Sequence, residues 1–111
     1  MITKLTEKKC VPCEHWMPPV KGEKIKQYLS ELKLAWEVIE EKQIKHQFKF
    51  KDFAEAMDFI NKVAKIAENE NHPPDICIYY NKVNITLWTH FISGLHENDF
   101  ILAAKIETLT V

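Results

Sequence analysis

The apolar residues of this chain recur with two different periods, and the change of period divides the first half into elements. Residues 21–34 carry apolar side chains three and four positions apart, the spacing of one helix face. Residues 36–39 and 44–50 alternate apolar and polar side chains, as half-buried strands do, and the polar stretch between them fits a turn. The first half is therefore predicted to run helix, strand, strand.

A second helix is predicted from residue 52 to about residue 68. Asp52 is a good N-cap, and Glu55 follows three residues later as in a capping box. The apolar positions cover about half of the helix circumference, wider than the ~100° stripe that a surface helix needs. We therefore expect this helix to contact both its own sheet and another subunit. One apolar stripe comprises Phe53, Met57, Ile60 and Ala64, and Phe59, Val63 and Ile66 widen it.

The last third of the chain adds two strands and a helix. Strands are predicted over residues 76–80 and 83–89, with the short turn Asn81-Lys82 between them, after a proline-containing loop of residues 69–75. A final helix is predicted over residues 97–108. The order α-β-β-α-β-β-α predicts a single α+β domain, in which a four-stranded antiparallel sheet carries three helices on one face.

Composition places this domain among ordinary globular proteins. The 111 residues are enough for one domain, and two independent cores are not expected. The 15 cationic side chains are all lysines and face 16 acidic ones, a net charge of -1 that argues against a nucleic-acid binder. No apolar run approaches the ~20 residues of a membrane span, and the first residues lack the apolar core of a signal peptide. We therefore expect a soluble, cytoplasmic protein without a membrane partner.

Residues 1–20 are predicted to form an irregular N-terminal arm laid over a domain of residues 21–111, because prolines interrupt them. The arm contains Cys10 and Cys13, a spacing that suits metal or redox chemistry. A zinc site needs four ligands, and only Cys77 and His15 can be added to this pair. A redox pair belongs at a helix N-terminus after a strand, and this one lies in the arm. We therefore predict no metal site, and a metal or redox role for Cys10 and Cys13 stays open as an alternative.

Histidines are the main candidates for catalysis. His72 lies in the loop before one predicted strand, and His90 lies at the end of the next. Since a hairpin brings its outer ends together, the two imidazoles are expected to share a cleft, with Asp99 following at the start of the last helix. Three simpler interpretations stay open. His72 is then a polar loop residue, His90 a strand-end residue bonded to the backbone, and Asp99 a carboxylate that complements the helix dipole.

Three stretches in the second half carry specific motifs: ENENHPPD at residues 68–75, YNKVNITLWTH at residues 80–90 and GLHEND at residues 94–99. Together they resemble the pterin-4a-carbinolamine dehydratase family. The similarity extends back through residues 48–56. It also includes the arm, where Cys-x-x-Cys followed by Pro-Pro is similar to the opening of many microbial members. The resemblance thus covers nearly the whole chain.

The resemblance implies a reaction and a set of residues. Family members dehydrate 4a-hydroxytetrahydropterin to quinonoid dihydropterin, the recycling step after aromatic amino-acid hydroxylation, and they need no metal or organic cofactor. Two imidazoles with pKa values of about 6.5 suit the required proton transfers. The resemblance implies His72 and His90 as the proton-transfer pair and Asp99 as the residue that orients or charges one imidazole. The substrate contacts it implies are Glu68, Asn71, Pro73, Trp88 and Thr89.

Pro73 departs from the family pattern, because it stands where the second histidine of His-His-Pro is expected. Proline has no donor and no titrating group. The loss of one hydrogen bond to substrate costs about 1–3 kcal/mol, roughly 5- to 150-fold in affinity. The alternative function is therefore a catalytically weak or inactive pterin-binding or oligomerisation module. His96 is a lesser departure, since it replaces the usual Ser or Thr cap and is expected to loosen the start of the last helix.

The resemblance also implies an assembly. Family members form homodimers or homotetramers from sheet edges and the middle helix. This agrees with the wide apolar arc of the helix predicted over residues 52–68, which indicates a second buried contact.

Overall fold

Three helices and four strands build the fold in the predicted order. The structure is a computed structural model that describes residues 4–12 and 17–110. The order α-β-β-α-β-β-α and the single α+β domain are confirmed. The helices are α1 (Glu23–Ser30), α2 (Phe53–Glu70) and α3 (Glu97–Glu107), and the strands are β1 (Glu37–Ile39), β2 (Gln43–Lys49), β3 (Asp75–Tyr79) and β4 (Lys82–Leu87).

The strands form one antiparallel sheet in the order β1-β2-β4-β3. Each hairpin pairs its own strands, and β2 pairs with β4, so the two hairpins meet in the middle of the sheet. The turn between β3 and β4 is Tyr80-Asn81, one residue earlier than predicted, and Tyr80 has a positive φ of 55°. The Asn81 side-chain amide donates a hydrogen bond of 2.8 Å to the Phe50 carbonyl, which ties this turn to the end of β2.

One face of the sheet is apolar and packs against α2. Val83, Ile85 and Leu87 alternate with polar residues along β4 and are fully buried. The rings of Phe48 on β2 and Phe59 on α2 pack with their centroids 4.8 Å apart. The core face of α2 consists of Ala56, Phe59, Val63 and Ala67.

The predicted apolar arc of α2 separates into two lines. The stripe that begins at Phe53 lies about a quarter of a turn from the core face, given the ~100° rotation per residue of a helix. Its members are half-buried or exposed in the single chain, and they are Phe53, Met57, Ile60 and Ala64. The helix therefore carries a second apolar line beside the one that covers the sheet.

α1 is shorter than the helix predicted over residues 21–34, and a side chain from the end of α3 explains its limit. The buried carboxylate of Glu107 accepts hydrogen bonds from the backbone N–H groups of Lys33 (2.9 Å) and Leu34 (2.7 Å). It also accepts one from the indole N–H of Trp36, at 2.9 Å. A longer helix would use these backbone N–H groups internally, so the chain leaves the helix before them.

β4 also ends earlier than predicted, which changes the place of His90. The prediction put His90 at the end of a strand over residues 83–89, but it begins a short 3-10 turn, His90–Ile92. Thr89 and Gly94 close this turn, with N–H···O=C bonds of 2.8 and 3.3 Å between them. A Cβ atom at Gly94 would come within 2.7 Å of the Cβ atom of Pro19, so only glycine fits there.

The described part of the arm lies against the helices. Leu5 is buried in the main core cluster, and the Lys8 ammonium donates to the Glu97 carboxylate at 2.6 Å. Further along, Val20 pairs with Leu95 in an isolated β-bridge. These contacts hold two parts of the arm against residues 95–97, where the chain enters α3.

Across residues 4–12 and 17–110, no helix combines the length with the apolar character that crossing a bilayer requires. The location of the protein in the cell stays a prediction.

Candidate active site

A cleft of about 610 Å³ opens where four segments meet. These segments are the loop after α2, the turn after β4, the start of α3, and residues 9–12 of the arm. Most of the predicted site residues line this cleft, namely Asn71, His72, Pro73, Trp88, Thr89 and His90. The β3–β4 hairpin brings His72 and His90 to one cavity, because Asp75 after the first histidine pairs with Thr86 near the second.

Asp99 is fully buried and connects three segments around the cleft. Its Oδ1 atom lies 2.7 Å from Nε2 of His72. Its Oδ2 atom accepts hydrogen bonds from the Thr89 hydroxyl and from the His96 backbone N–H, each at 2.9 Å. A buried carboxylate is costly unless such partners compensate it. Asp99 therefore holds His72 and at the same time joins the turn after β4 to α3.

The start of α3 explains how Asp99 reaches this position. His96 is the N-cap residue, and its Nδ1 atom accepts a hydrogen bond of 3.0 Å from the Asn98 N–H. Asp99 completes a capping box by accepting from the His96 N–H. The capping interpretation of Asp99 thus holds together with its contact to His72. The loosened helix start that we expected from His96 is not seen, because the imidazole replaces the usual hydroxyl as acceptor.

The cap requires the neutral form of His96, since Nδ1 must keep its lone pair. Burial lowers the pKa of His96 below its ordinary value, and the opposing charge of Asp99 does not outweigh it. The environment of the cap therefore favours the form of His96 that can serve as an acceptor.

His90 is exposed and is held in a different way from His72. Its ring stacks on the indole of Trp88, with centroids 3.8 Å apart and planes inclined by 34°. The indole N–H donates to Oδ2 of Asp75 at 2.9 Å, and Nε2 of His90 lies 3.8 Å from the same oxygen. That distance is too long for a hydrogen bond. The cleft therefore contains one histidine tightly bound to a buried carboxylate and one loosely placed beside an exposed carboxylate.

Of two further predicted residues, Asn71 lines the cleft and Glu68 does not. Asn71 ends α2 in the left-handed conformation, with φ of 52°, which asparagine tolerates better than most residues. The next N–H, that of His72, bonds to the Ala67 carbonyl at 3.1 Å, so the chain turns sharply into the cleft. Glu68 is exposed on α2 and is not among the residues that line the cleft.

Among the polar residues of the cleft lining that were not predicted, two have buried side chains, Glu70 and Asn98. Glu70 is nearly buried and accepts hydrogen bonds from the Lys105 ammonium (2.6 Å) and the Cys10 N–H (2.8 Å). Burial favours its protonated form, but these two bonds outweigh burial and lower the pKa of Glu70. A sequence signal exists here, because Glu70 continues the core face of α2 beyond Val63 and Ala67 at helical spacing. Asn98, the second residue, gives no such signal, because its partner Val11 lies 87 residues away in the sequence.

Cys10 carries a protonated thiol. Burial, followed by the negative charge of Glu70, raises the pKa of Cys10 to about 12. Metal binding and nucleophilic chemistry require a thiolate, which this environment disfavours. Among residues 4–12 and 17–110 no group of three or more histidine, cysteine or acidic side chains is arranged to hold a metal ion. Cys13 and His15, the other members of the set considered above, lie outside the described residues.

Comparison with known proteins places this cleft in a family. Residues 18–109 match the family model described as pterin 4 alpha carbinolamine dehydratase. A Rickettsia canadensis (strain McKiel) protein named "Putative pterin-4-alpha-carbinolamine dehydratase" is 49% identical over 107 residues, which cover 96% of this chain and 98% of that protein. A protein of the same name from Rubrobacter xylanophilus is 44% identical over 108 residues, covering 97% and 100%.

A solved structure agrees with these sequence matches. The crystal structure of a transcriptional coactivator/pterin dehydratase from Brucella melitensis superposes with a TM-score of 0.78 at 31% identity, over 84% of this chain and 99% of that one. The family model and the curated relatives together span nearly every residue that builds the fold and the cleft. This chain belongs to the pterin-4a-carbinolamine dehydratase family.

Proposed function

We propose that this protein is a hydro-lyase that dehydrates 4a-hydroxytetrahydropterin to quinonoid dihydropterin, with His72 and His90 as its proton-transfer pair. The reaction follows from the family. The observation that supports the roles is that both imidazoles line one cleft, where a buried carboxylate holds one of them at 2.7 Å. No metal or organic cofactor has a part in this mechanism.

His72 is proposed as the general base. An ionised carboxylate only accepts hydrogen bonds, so Asp99 selects the tautomer of His72 that carries its proton on Nε2. Nδ1 then has a lone pair with which it removes the ring N–H proton of the pterin. Asp99 stabilises the imidazolium that forms, as carboxylates do in other carboxylate–imidazole pairs.

His90 is proposed as the general acid. Its ring is exposed, so solvent can resupply the proton that it donates, and the Asp75 carboxylate lies 3.8 Å away. The imidazolium donates its proton to the 4a-hydroxyl, the C4a–O bond breaks, and water leaves. Loss of the ring N–H proton to His72 completes the quinonoid product.

The flat pterin ring is proposed to bind against the cleft residues Asn71, Pro73, Trp88 and Thr89. These residues line the cleft together with the two histidines, and they include one amide and one indole side chain. Such a mixture of apolar surface and a few polar groups suits a small heterocycle. Glu68 stays a predicted substrate contact that rests on the resemblance alone.

We also infer a homodimer or homotetramer. The observation behind this is the second apolar line of α2, which includes Phe53 and Met57 and is only partly covered within one chain. Exposed edges at β1 and β3 offer further pairing surface, since unpaired strand edges bind other strands readily.

The function is tested by following the dehydration of freshly generated 4a-hydroxytetrahydropterin through the absorbance of the quinonoid product. The wild type is expected to accelerate the reaction above its spontaneous rate, and His72→Ala and His90→Ala to lose about a hundredfold or more of kcat. In the pH profile of residual activity, His72→Ala should lose the limb on the acid side and His90→Ala the limb on the alkaline side. If both variants keep wild-type turnover, the roles are wrong.

Pro73 decides between a full dehydratase and the pterin-binding alternative. If the missing histidine limits this protein, Pro73→His should raise kcat/KM by roughly 5- to 150-fold, and Pro73→Ala, the matched control, should not. A folded wild type that binds pterin without turnover would favour the binding module. Full activity that is unchanged by Pro73→His would mean that two histidines suffice.

A further inference from the structure

Residues 9–12 of the arm form part of the cleft wall. Lys9, Cys10, Val11 and Pro12 all line the same cavity as His72 and His90. The family model begins only at residue 18, so it assigns nothing to this wall. Specific hydrogen bonds to the arm backbone distinguish a fixed wall from a segment that only lies nearby.

The Asn98 side chain forms two hydrogen bonds with the backbone of the arm. Its Oδ1 atom accepts a hydrogen bond of 3.0 Å from the Val11 N–H, and its Nδ2 atom donates one of 2.6 Å to the Val11 carbonyl. Asn98 is only 2% exposed, so both bonds form in a shielded environment. Because one amide both accepts from and donates to the Val11 backbone, the two bonds fix the position and the orientation of this peptide segment.

Glu70 provides a second anchor one residue earlier. Its Oε1 atom accepts from the Cys10 N–H at 2.8 Å, and its Oε2 atom accepts from Lys105 at 2.6 Å. The Cys10 thiol adds a weak bond of 3.6 Å to the Asn98 carbonyl. Lys105 neutralises Glu70, so the anchor is not an open anion that would repel or attract a charged ligand. Without the arm, both buried side chains would lose polar partners, which is costly.

The fixed arm presents apolar surface to the cleft. Val11 is 52% exposed although its backbone is anchored at both polar atoms, and Phe91, 71% exposed, lines the same cavity. Ligand sites in proteins are mostly apolar walls with few polar groups. The apolar residues Val11 and Phe91 and the two imidazoles therefore belong to one binding surface.

We propose that residues 9–12 are a substrate-binding wall, in which Val11 contacts an apolar part of the bound pterin, and that Asn98 and Glu70 are positioning residues that hold this wall in place. The proposal rests on the proposed function, because it takes a pterin as the ligand. It adds a binding role for the arm and for two residues outside the proton-transfer set.

Val11→Trp tests the wall, with Thr6→Trp as the matched control. Thr6 is also an exposed residue of the arm, but it does not line the cleft. We expect Val11→Trp to raise KM for 4a-hydroxytetrahydropterin, and Kd for the stable ligand 7,8-dihydrobiopterin, by about tenfold, a typical effect of changed pocket volume. KM should rise more than kcat falls. Thr6→Trp should leave both constants at wild-type values, and thermal unfolding verifies that the variants are folded.

Asn98→Ala tests the anchor through a double-mutant cycle with Val11→Trp. If Asn98 acts through the arm, the double variant should bind pterin no more weakly than the weaker single variant, because both changes disturb the same contact. A merely structural role of Asn98 would give additive losses. Additivity would overturn the positioning role.

The outcomes separate this proposal from the function on which it rests. If folded Val11→Trp has wild-type KM and Kd, the wall is wrong, while turnover by the wild type preserves the dehydratase. If the wild type binds dihydrobiopterin without turnover, the dehydratase is wrong, and the Kd values of the variants still decide the wall. A wild type that neither binds nor turns over pterin overturns both.

Discussion

Asp99 shows how one residue joins the site to the fold. It is the third residue of α3, completes the helix cap through the His96 N–H, and contacts His72 through its other oxygen. The Thr89 hydroxyl adds a third hydrogen bond, so the carboxylate is buried without lacking partners. A change at this residue should therefore affect catalysis and stability by separate routes.

Asp99→Asn is expected to lower kcat by about a hundredfold or more, because the amide no longer selects or charges the correct form of His72. The free energy of unfolding should fall by about 1–3 kcal/mol, because a buried acceptor is lost. Initial rates and urea unfolding measure the two effects.

Glu107→Gln is the matched control, since Glu107 is the buried carboxylate at the other end of α3 and likewise accepts three hydrogen bonds, in its case all from N–H groups. It should lose comparable stability and keep wild-type kcat. A similar loss of kcat in both variants would mean that Asp99 acts only through stability.

Among the secondary-structure elements, α3 is the one whose start makes the stability of the protein depend on pH. Its cap is an imidazole, and the cap bond needs the neutral ring. Burial lowers the pKa of His96 in the folded protein. The unfolded chain then binds this proton more tightly than the folded one does. The contribution of His96 to stability is therefore complete above the ordinary pKa of about 6.5 and is lost as the pH falls below it.

His96→Ser should weaken the pH dependence of stability, since a serine cap does not titrate in this range. We expect the free energy of unfolding to fall less between pH 7.5 and pH 5.5 in the variant than in the wild type. Urea unfolding at both pH values measures this difference. His96→Asn provides a second cap that accepts a hydrogen bond without titrating and should weaken the pH dependence in the same way. An identical dependence in the wild type and His96→Ser would contradict the role of the cap.

For the molecule as a whole, the feature that matters most is the apolar surface of α2 that the single chain covers only in part. Its core face covers the sheet, and its second apolar line, which begins at Phe53, is half-buried or exposed in the single chain. Apolar lines of this kind mark protein–protein contacts more often than scattered apolar residues do. The inferred oligomer would bury this line without changing the fold of the subunit.

Met57→Glu should dissociate that oligomer, because a charge would be buried at the contact. Multi-angle light scattering should show a lower mass than for the wild type, while circular dichroism stays unchanged. Lys65→Glu changes the charge of an exposed residue on the polar side of α2 and should keep the wild-type mass. A monomeric wild type, or a folded Met57→Glu variant of unchanged mass, would contradict the inference.

The order of the elements follows from the sequence alone, and the sequence also predicts candidate residues for the chemistry. The two apolar periods are local consequences of one-sided burial, so they identify each helix and strand without knowledge of their partners. The motifs around His72, His90 and Asp99 pointed to the family, which the comparisons show. Hairpin geometry was enough to predict that the two histidines line one cleft.

Other features depend on specific hydrogen bonds, and these are visible only in the folded structure. Glu107 ends α1 by accepting its would-be helical N–H groups, and the Thr89–Gly94 pair moves His90 from a strand into a turn. Asn98 and Glu70 seat the arm against the cleft. The first and last of these outcomes rest on polar side chains whose partners are distant in the sequence, and the second rests on backbone hydrogen bonds across a short loop. Periodicity carries no record of such pairs, because it reports which face of an element is buried and not against what.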